Sequence, residues 1–105
     1  MDNVMIGAEI AQMNDVFRRS GLGVTLTRGA AGLPDVNGLM RGVREFSDFS
    51  EDNDPYGEHD MGKLMWFGQK GFWKIDYYNQ GLSCYEDPFS PTCRRVMSVM
   101  LAEEY

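Results

Sequence analysis

The residues best suited to chemistry lie in one acidic segment, Asp48–Asp60, called the acidic loop below. It holds six carboxylates and no Lys or Arg, and it contains the single histidine of the sequence, His59. Loops rich in oxygen ligands bind Ca²⁺ when the ligands alternate around a central glycine. If Gly57 is that glycine, Lys63 falls where a bidentate Glu is required, so the segment is not an EF-hand. A looser contact with a hard cation stays open, but we expect no bound metal or cofactor.

His59 stands between Glu58 and Asp60, and a carboxylate beside a histidine can orient it as a general base. A small metal-dependent hydrolase using these three residues, with Asp76 as a further carboxylate, is the catalytic interpretation. However, the sequence ties no Ser or Cys nucleophile to His59, and an acidic turn produces the same triplet. We therefore favour a non-catalytic role and assign no catalytic residue.

A second group of candidate binding residues is aromatic. Three helices cannot cover both faces of a small sheet, so some aromatic side chains should be exposed, and exposed aromatics are enriched at interface hot spots. Alternation along the strand places Trp73 and Tyr77 on the core side. The aromatic residues cluster in one predicted hairpin: Trp66, Phe67, Phe72, Trp73, Tyr77 and Tyr78.

Cys84 and Cys93 are the only cysteines. Two thiols in a reducing compartment are usually unpaired. A disulfide between them and a metal site shared with His59 are the alternatives, although no CxxC pair supports the metal site.

The first half of the chain alternates helix and strand. An apolar stripe predicts a helix over Asn3–Ser20, which Asp2 or Asn3 can cap. Alternation predicts a strand over Gly23–Arg28, and the small residues of Gly29–Leu33 predict a turn. A second helix is expected from Pro34 or Asp35 to about Ser47.

The second half begins after the acidic loop with two predicted strands, Met61–Phe67 and Phe72–Tyr78. A four-residue connection, Gly68–Gly71, would join them as a hairpin. Asn79–Pro88 is expected to be a loop. A capping Ser90 and a Pro at the first helical position then predict a last helix that runs to the end of the sequence.

The predicted order is α-β-α-β-β-α, which favours an α+β fold with an antiparallel sheet of about three strands and three helices. A chain of 105 residues suits one domain over residues 1–105. No apolar run approaches the roughly 20 residues of a membrane span, and the start lacks the features of a signal peptide. We therefore expect a cytoplasmic protein that does not contact membranes.

The sequence has 16 acidic and 10 basic residues, a formal charge of −6. This balance argues against direct binding of nucleic acid, whose affinity comes from clustered Lys and Arg. It suits a protein partner with a basic surface, such as a surface that itself binds nucleic acid. Solubility alone also accounts for it.

Four segments resemble an uncharacterised family, a domain of unknown function frequent in alphaproteobacterial genomes, plasmids and phages. The resemblance covers nearly the whole chain and implies a mobile-element setting, but no catalytic residues. The matching segments are Leu26–Gly29, Asp52–Asp60 with its GEHD sequence, Phe72–Tyr78 with FWKIDYY, and Val96–Tyr105.

Small size, acidity, spare aromatics and the mobile-element setting favour an accessory protein that binds and inhibits a host defence protein. An anti-CRISPR or anti-restriction protein is the concrete form, and we expect a monomer or weak dimer. The alternative is the hydrolase. The residues expected to contact the partner are Asp48, Glu51, Asp52, Asp54, Tyr56, Glu58, His59, Asp60, Trp66 and Tyr78.

Overall fold

The computed structural model describes the backbone of residues 3–105 and the side chains of residues 6–105. The four strands form one mixed sheet in the order β1-β4-β3-β2, in which β1 runs parallel to β4 and the other neighbours are antiparallel. The fold is α+β as expected, with one strand more than expected and not purely antiparallel. Its elements are α1 (Asn3–Ser20), β1 (Val24–Leu26), α2 (Arg28–Ala31), α3 (Val36–Arg44), β2 (Met61–Trp66), β3 (Gln69–Tyr78), β4 (Arg94–Leu101) and a 3₁₀ turn (Ala102–Glu104).

The predicted first and second helices are confirmed as α1 and α3. Asp35 begins α3 as its N-cap, and its carboxylate accepts a hydrogen bond from the amide of Gly38 at 3.1 Å. The helix ends at Arg44, earlier than the predicted Ser47. The cap expected for α1 at Asp2 or Asn3 lies outside the described side chains.

The predicted last helix is wrong. Residues from Ser90 form a turn, and Arg94–Leu101 is the strand β4, which lies between β1 and β3. A central strand has apolar side chains on both faces, and Met97 and Val99 on one face with Met100 on the other are all buried. Such a run has the same apolar spacing as a helix, which is why the sequence pattern misled.

Two smaller predictions also differ from the structure. The expected turn at Gly29–Leu33 begins as the short helix α2, which Thr27 caps by accepting a hydrogen bond from Ala30. The hairpin connection is two residues rather than four, because Phe67 and Gly68 both adopt positive φ, at 49° and 80°. Positive φ at both central residues is typical of a type I′ turn, whose twist matches that of the flanking strands. The residues from Gln69 to Gly71 therefore pair with β2 instead of forming the loop.

The helices cover one face of the sheet. Leu39 and Val43 of α3 and Ala30 of α2 pack against Trp73, Met97 and Val99, forming the buried core. The predicted core position of Trp73 is confirmed, since it is fully buried. Among residues 3–105, no helix is long and apolar enough to cross a lipid bilayer.

The side chain of Glu104 binds the start of α2. The Glu104 carboxylate accepts hydrogen bonds from the Thr27 hydroxyl at 2.6 Å, the Gly29 amide at 3.0 Å and the Leu101 amide at 2.8 Å. These hydrogen bonds, that from Thr27 first, lower the pKa of Glu104. Glu104 therefore joins α2 to the end of β4.

A substitution at Gly62 tests how tightly the core is packed around Trp73. A Cβ at Gly62 would fall on the indole of Trp73, its cross-strand neighbour. Gly62→Ala should lower the free energy of unfolding by about 1–3 kcal/mol, the usual cost of overpacking a core, measured by chemical denaturation.

Gly42→Ala is the matched control, because a Cβ there meets nothing within 4 Å. It lies inside α3, where replacing Gly by Ala should raise stability by about 0.5–1 kcal/mol. Equal effects of the two substitutions would contradict this account of the Trp73 site.

Candidate functional site

Short-range hydrogen bonds fold the acidic loop into successive turns. The Asn53 side-chain amide donates to the carbonyl of Asp48 at 3.1 Å and its oxygen accepts from the amide of Ser50 at 3.0 Å. The amide of Asp54 donates to the carbonyl of Ser50 at 2.8 Å, and that of Gly57 to the carbonyl of Asp54 at 3.0 Å. The loop thus has a defined shape that its own Asn and Asp residues impose.

Asp54 is the internal anchor of the loop. Only 8% of this residue is exposed, and its carboxylate accepts hydrogen bonds from the amides of Glu58 at 3.1 Å and His59 at 3.2 Å. These bonds hold His59 at φ 54°, a left-handed conformation that non-glycine residues rarely adopt. Strained residues of this kind cluster at functional sites.

The ring of His59 lies between two carboxylates and an aromatic ring. Its Nδ1 is 3.0 and 3.1 Å from the two oxygens of Asp15, and its Nε2 is 3.7 Å from Oδ2 of Asp54. The imidazole stacks on Phe49 with ring centroids 3.8 Å apart and planes 2° from parallel. Both nitrogens therefore face a carboxylate.

Asp15 also binds a fully buried cation, Arg18. Arg18 Nη1 donates to Asp15 at 2.9 Å, and Nη2 donates to the carbonyl of Phe46 at 3.0 Å. Its guanidinium carbon lies 5.0 Å from the ring centroid of Trp73 and 5.5 Å from that of Phe49. Cation–π contacts at this distance stabilise a charge that has left water.

Asn14, also fully buried, links the loop to the sheet. Its amide nitrogen donates to the carbonyl of Glu58 at 3.0 Å and to the Tyr77 hydroxyl at 2.8 Å, and its oxygen accepts from Nε of Arg95 at 2.8 Å. The Arg95 guanidinium carbon lies 5.3 Å from the Tyr77 ring centroid. Burial raises the pKa of the Tyr77 phenol, so it stays neutral and can share this network.

The carboxylates at the end of the loop crowd one another. Burial, with the nearby charges of Asp60 and Asp54, raises the pKa of Glu58. Burial, and then the charges of Asp54 and Asp76, raises the pKa of Asp60. The ionised loop therefore holds negative charge that the surrounding structure only partly compensates.

The structure divides the ten predicted contact residues into groups. Asp54, Glu58, His59 and Asp60 come together at the junction of the loop with α1. Trp66 lies apart, at the hairpin end of β2, where its indole nitrogen donates to the carbonyl of Pro34 at 2.7 Å. Tyr78 lies at the other end of the hairpin, opposite Arg94 of β4. The remaining four residues are exposed on the loop: Asp48, Glu51, Asp52 and Tyr56.

Asp76 does not join His59. It lies on the face of the sheet opposite Trp73 and pairs with Lys74 at 3.1 Å. Cys84 and Cys93 are free thiols. Within the part of the chain that the structure describes, no three His, Cys, Asp or Glu side chains are arranged to hold a metal ion.

Sequence reasoning missed the residues of α1 and β4 in this site, namely Asn14, Asp15, Arg18 and Arg95. One signal was present: Asn14 and Arg18 follow Ile10 at helical spacing, so they share its buried side. Gly7, taken alone, weakens a helix, yet a Cβ there would clash with the carbonyl of Tyr56. This glycine lets the loop backbone lie against α1.

A family model described as protein of unknown function DUF3768 matches residues 24–104. The chain belongs to DUF3768. The DUF3768 match includes the acidic loop and the whole sheet, whereas α1, which supplies Asn14, Asp15 and Arg18, precedes it. No curated protein and no solved structure matches the sequence.

The burial of Asp60, together with the nearby charges of Asp54 and Asp76, has a measurable effect on stability. The pKa of Asp60 is raised above its ordinary 3.8 in the folded protein, so its ionised form costs free energy that is fully present above the folded pKa. Asp60→Asn should therefore raise the free energy of unfolding at pH 7. This gain should fall as the pH drops through the folded pKa and vanish below about 3.8.

Denaturation of both proteins across this pH range provides the measurement. Asp52→Asn is the control, because Asp52 is exposed and surface substitutions change stability by less than about 0.5 kcal/mol. Loss of stability in Asp60→Asn at pH 7 would refute the expected cost of keeping this carboxylate ionised where it is partly buried.

Proposed function

We propose that this chain is a binding protein whose acidic loop docks on a basic surface of a partner protein. The observation that carries the proposal is the fixed display of exposed carboxylates. Asp48, Glu51 and Asp52 are exposed on turns that Asn53 and Asp54 hold from within. A preformed display loses little conformational entropy on binding, which favours affinity.

Charge and aromatic surface would contribute in different ways. Exposed carboxylates facing a basic patch speed association and select the partner. The side chain of Tyr56, which is 79% exposed, can supply apolar contact of the kind found at hot spots. Burial first, and then neighbouring carboxylates, raise the pKa of Glu58 and Asp60, and a cationic side chain of the partner would stabilise their ionised forms.

A host defence protein of the CRISPR or restriction type is the partner we propose. Such proteins present basic surfaces to nucleic acid, and the resemblance implies a mobile-element setting. The proposal includes inhibition of that partner in the cytoplasm by a monomer or weak dimer. Mimicry of a whole DNA duplex is a poorer fit, because the acidic display is confined to one loop.

A hydrolase is the second candidate, on one specific observation. Asp15 lies 3.0 Å from Nδ1 of His59, the geometry of a carboxylate that orients a general base. However, Nε2 faces the carboxylate of Asp54 at 3.7 Å, so a substrate would have to displace Asp54 before His59 could accept its proton. We therefore place binding first.

The display is tested by removing its charge without disturbing its fold. The triple variant Asp48→Asn, Glu51→Gln, Asp52→Asn should bind its partner roughly 3- to 150-fold more weakly, since exposed ion pairs contribute about 0.2–1 kcal/mol each. Binding to purified CRISPR effector complexes and restriction enzymes would be measured at rising salt. The difference from wild type should shrink as salt screens the charges.

The matched control is Glu9→Gln, Glu45→Gln, Glu103→Gln, which removes the same charge from three other exposed positions. It should bind as the unmodified chain does. If both triple variants lose affinity equally, net charge and not the loop drives binding. If no defence protein binds and phages or plasmids gain no protection, the proposed partner class is wrong.

A further inference from the structure

All three lysines of the sequence lie on one face of the sheet, opposite the face on which Trp73 packs against the helices. Lys63 of β2 is the direct cross-strand neighbour of Phe72, and Lys70 and Lys74 stand two residues before and after it on β3. Side chains at these positions point the same way. We call this outer side of β2, β3 and β4 the lysine face.

Phe72 lies at the centre of these three cations. The lysines on its own strand are each about 7 Å from it along the chain, and Lys63 is closer still. The Phe72 ring lies 5.5 Å from the ring of Tyr105, tilted by 57°. A depression of about 490 Å³ opens over this area between Lys63 and Lys70, with Met65 on its border, which suits a planar group of small-molecule size.

The charge on this face is opposite to that of the whole protein. Lys63, Lys70, Lys74 and Arg94 point outward from β2, β3 and β4, and Asp76 is the one carboxylate on these strands of the face. Asp76 engages Lys74 at 3.1 Å. Lys63 and Lys70 are exposed and form no ion pair with any carboxylate among the described side chains. The part of this face around Lys63, Lys70 and Phe72 is therefore locally basic despite the formal charge of −6, while Glu104 borders the face beside Lys74.

We propose that the lysine face binds single-stranded nucleic acid, with one base stacked on Phe72 and the flanking phosphates on the lysines. Single-strand binding proteins combine aromatic rings on which bases stack with cations that follow the backbone. An acidic peptide would pair with the lysines but would leave the aromatic ring unused. In a duplex the bases are already stacked and paired, so none is available to the ring.

The lysine face lies on the side of the sheet opposite the helices, so this proposal is independent of the proposed role of the acidic loop. Tyr78, at the far end of β3, lies on the same face and pairs in register with Arg94. This second aromatic and cation extend the face along the strand by six residues, about 20 Å. The path is long enough for several nucleotides.

Fluorescence anisotropy with labelled single strands of DNA and RNA, each about 12 nucleotides long, tests the proposal on the full chain. The logarithm of the binding constant should fall with the logarithm of salt concentration with a slope of about −2, as expected for three phosphate contacts on a single strand. Lys63→Gln with Lys70→Gln should reduce this slope to about −0.7. Phe72→Leu should weaken binding at least about fivefold, the loss of one stacked base, without changing the slope.

The matched control is Arg19→Gln with Arg41→Gln, which removes two exposed cations from α1 and α3 and should leave binding unchanged. The acidic-loop triple variant should also still bind the strands, which separates this proposal from the proposed function. Unfolding curves would confirm that every variant is folded. No binding to single strands at low salt, equal loss in the control, tighter binding to a duplex, or equal binding to polyglutamate would each overturn the proposal.

Discussion

The guanidinium of Arg18 is a full charge removed from water, and the helix, the loop and the sheet each supply part of what stabilises it. Asp15 gives the counter-charge, the carbonyl of Phe46 accepts a hydrogen bond, and the rings of Phe49 and Trp73 lie against it. Losing one partner of a buried charge costs far more than an exposed pair is worth. The segments around Arg18 are therefore held together, and the position of the start of the acidic loop against α1 and the sheet follows from this requirement.

The polar network has one further property that bears on function. Asp15 is shared between Arg18 and His59, so the position of the only histidine is coupled to the buried cation. Through Asn14 the same helix reaches Tyr77 and Arg95. Exposed carboxylates and a buried network thus belong to one unit, in which the buried part sets the geometry and the exposed part is available to a partner. The lysine face lies on the opposite side of the sheet from this unit.

Local patterns predicted much of the fold and some of the site. The stripe of α1, the Asp35 cap and the β2–β3 hairpin follow from spacing and turn residues, and the turns of the acidic loop follow from its Asn, Asp and Gly. The pattern of β4 could not be separated from a helix because both its faces are apolar. The contacts of Asn14 and Asp15 with the loop span 44 residues, and no local pattern reports such a distance. The clustering of lysines also needed the strand register, since Lys63 approaches Phe72 only across the hairpin.

The parallel pairing of β1 with β4 has a kinetic consequence. Thr27 and Glu104, which close this part of the structure, are 77 residues apart. Contacts so distant in sequence slow folding, because closing the long loop costs conformational entropy before the contact can stabilise the structure. The hairpin of β2 and β3 can form early, but the backbone groups on the other edge of β3 then stay unpaired until β4 is added. During that interval the edge can pair with another chain, so this small protein is most prone to aggregate before its last strand is in place.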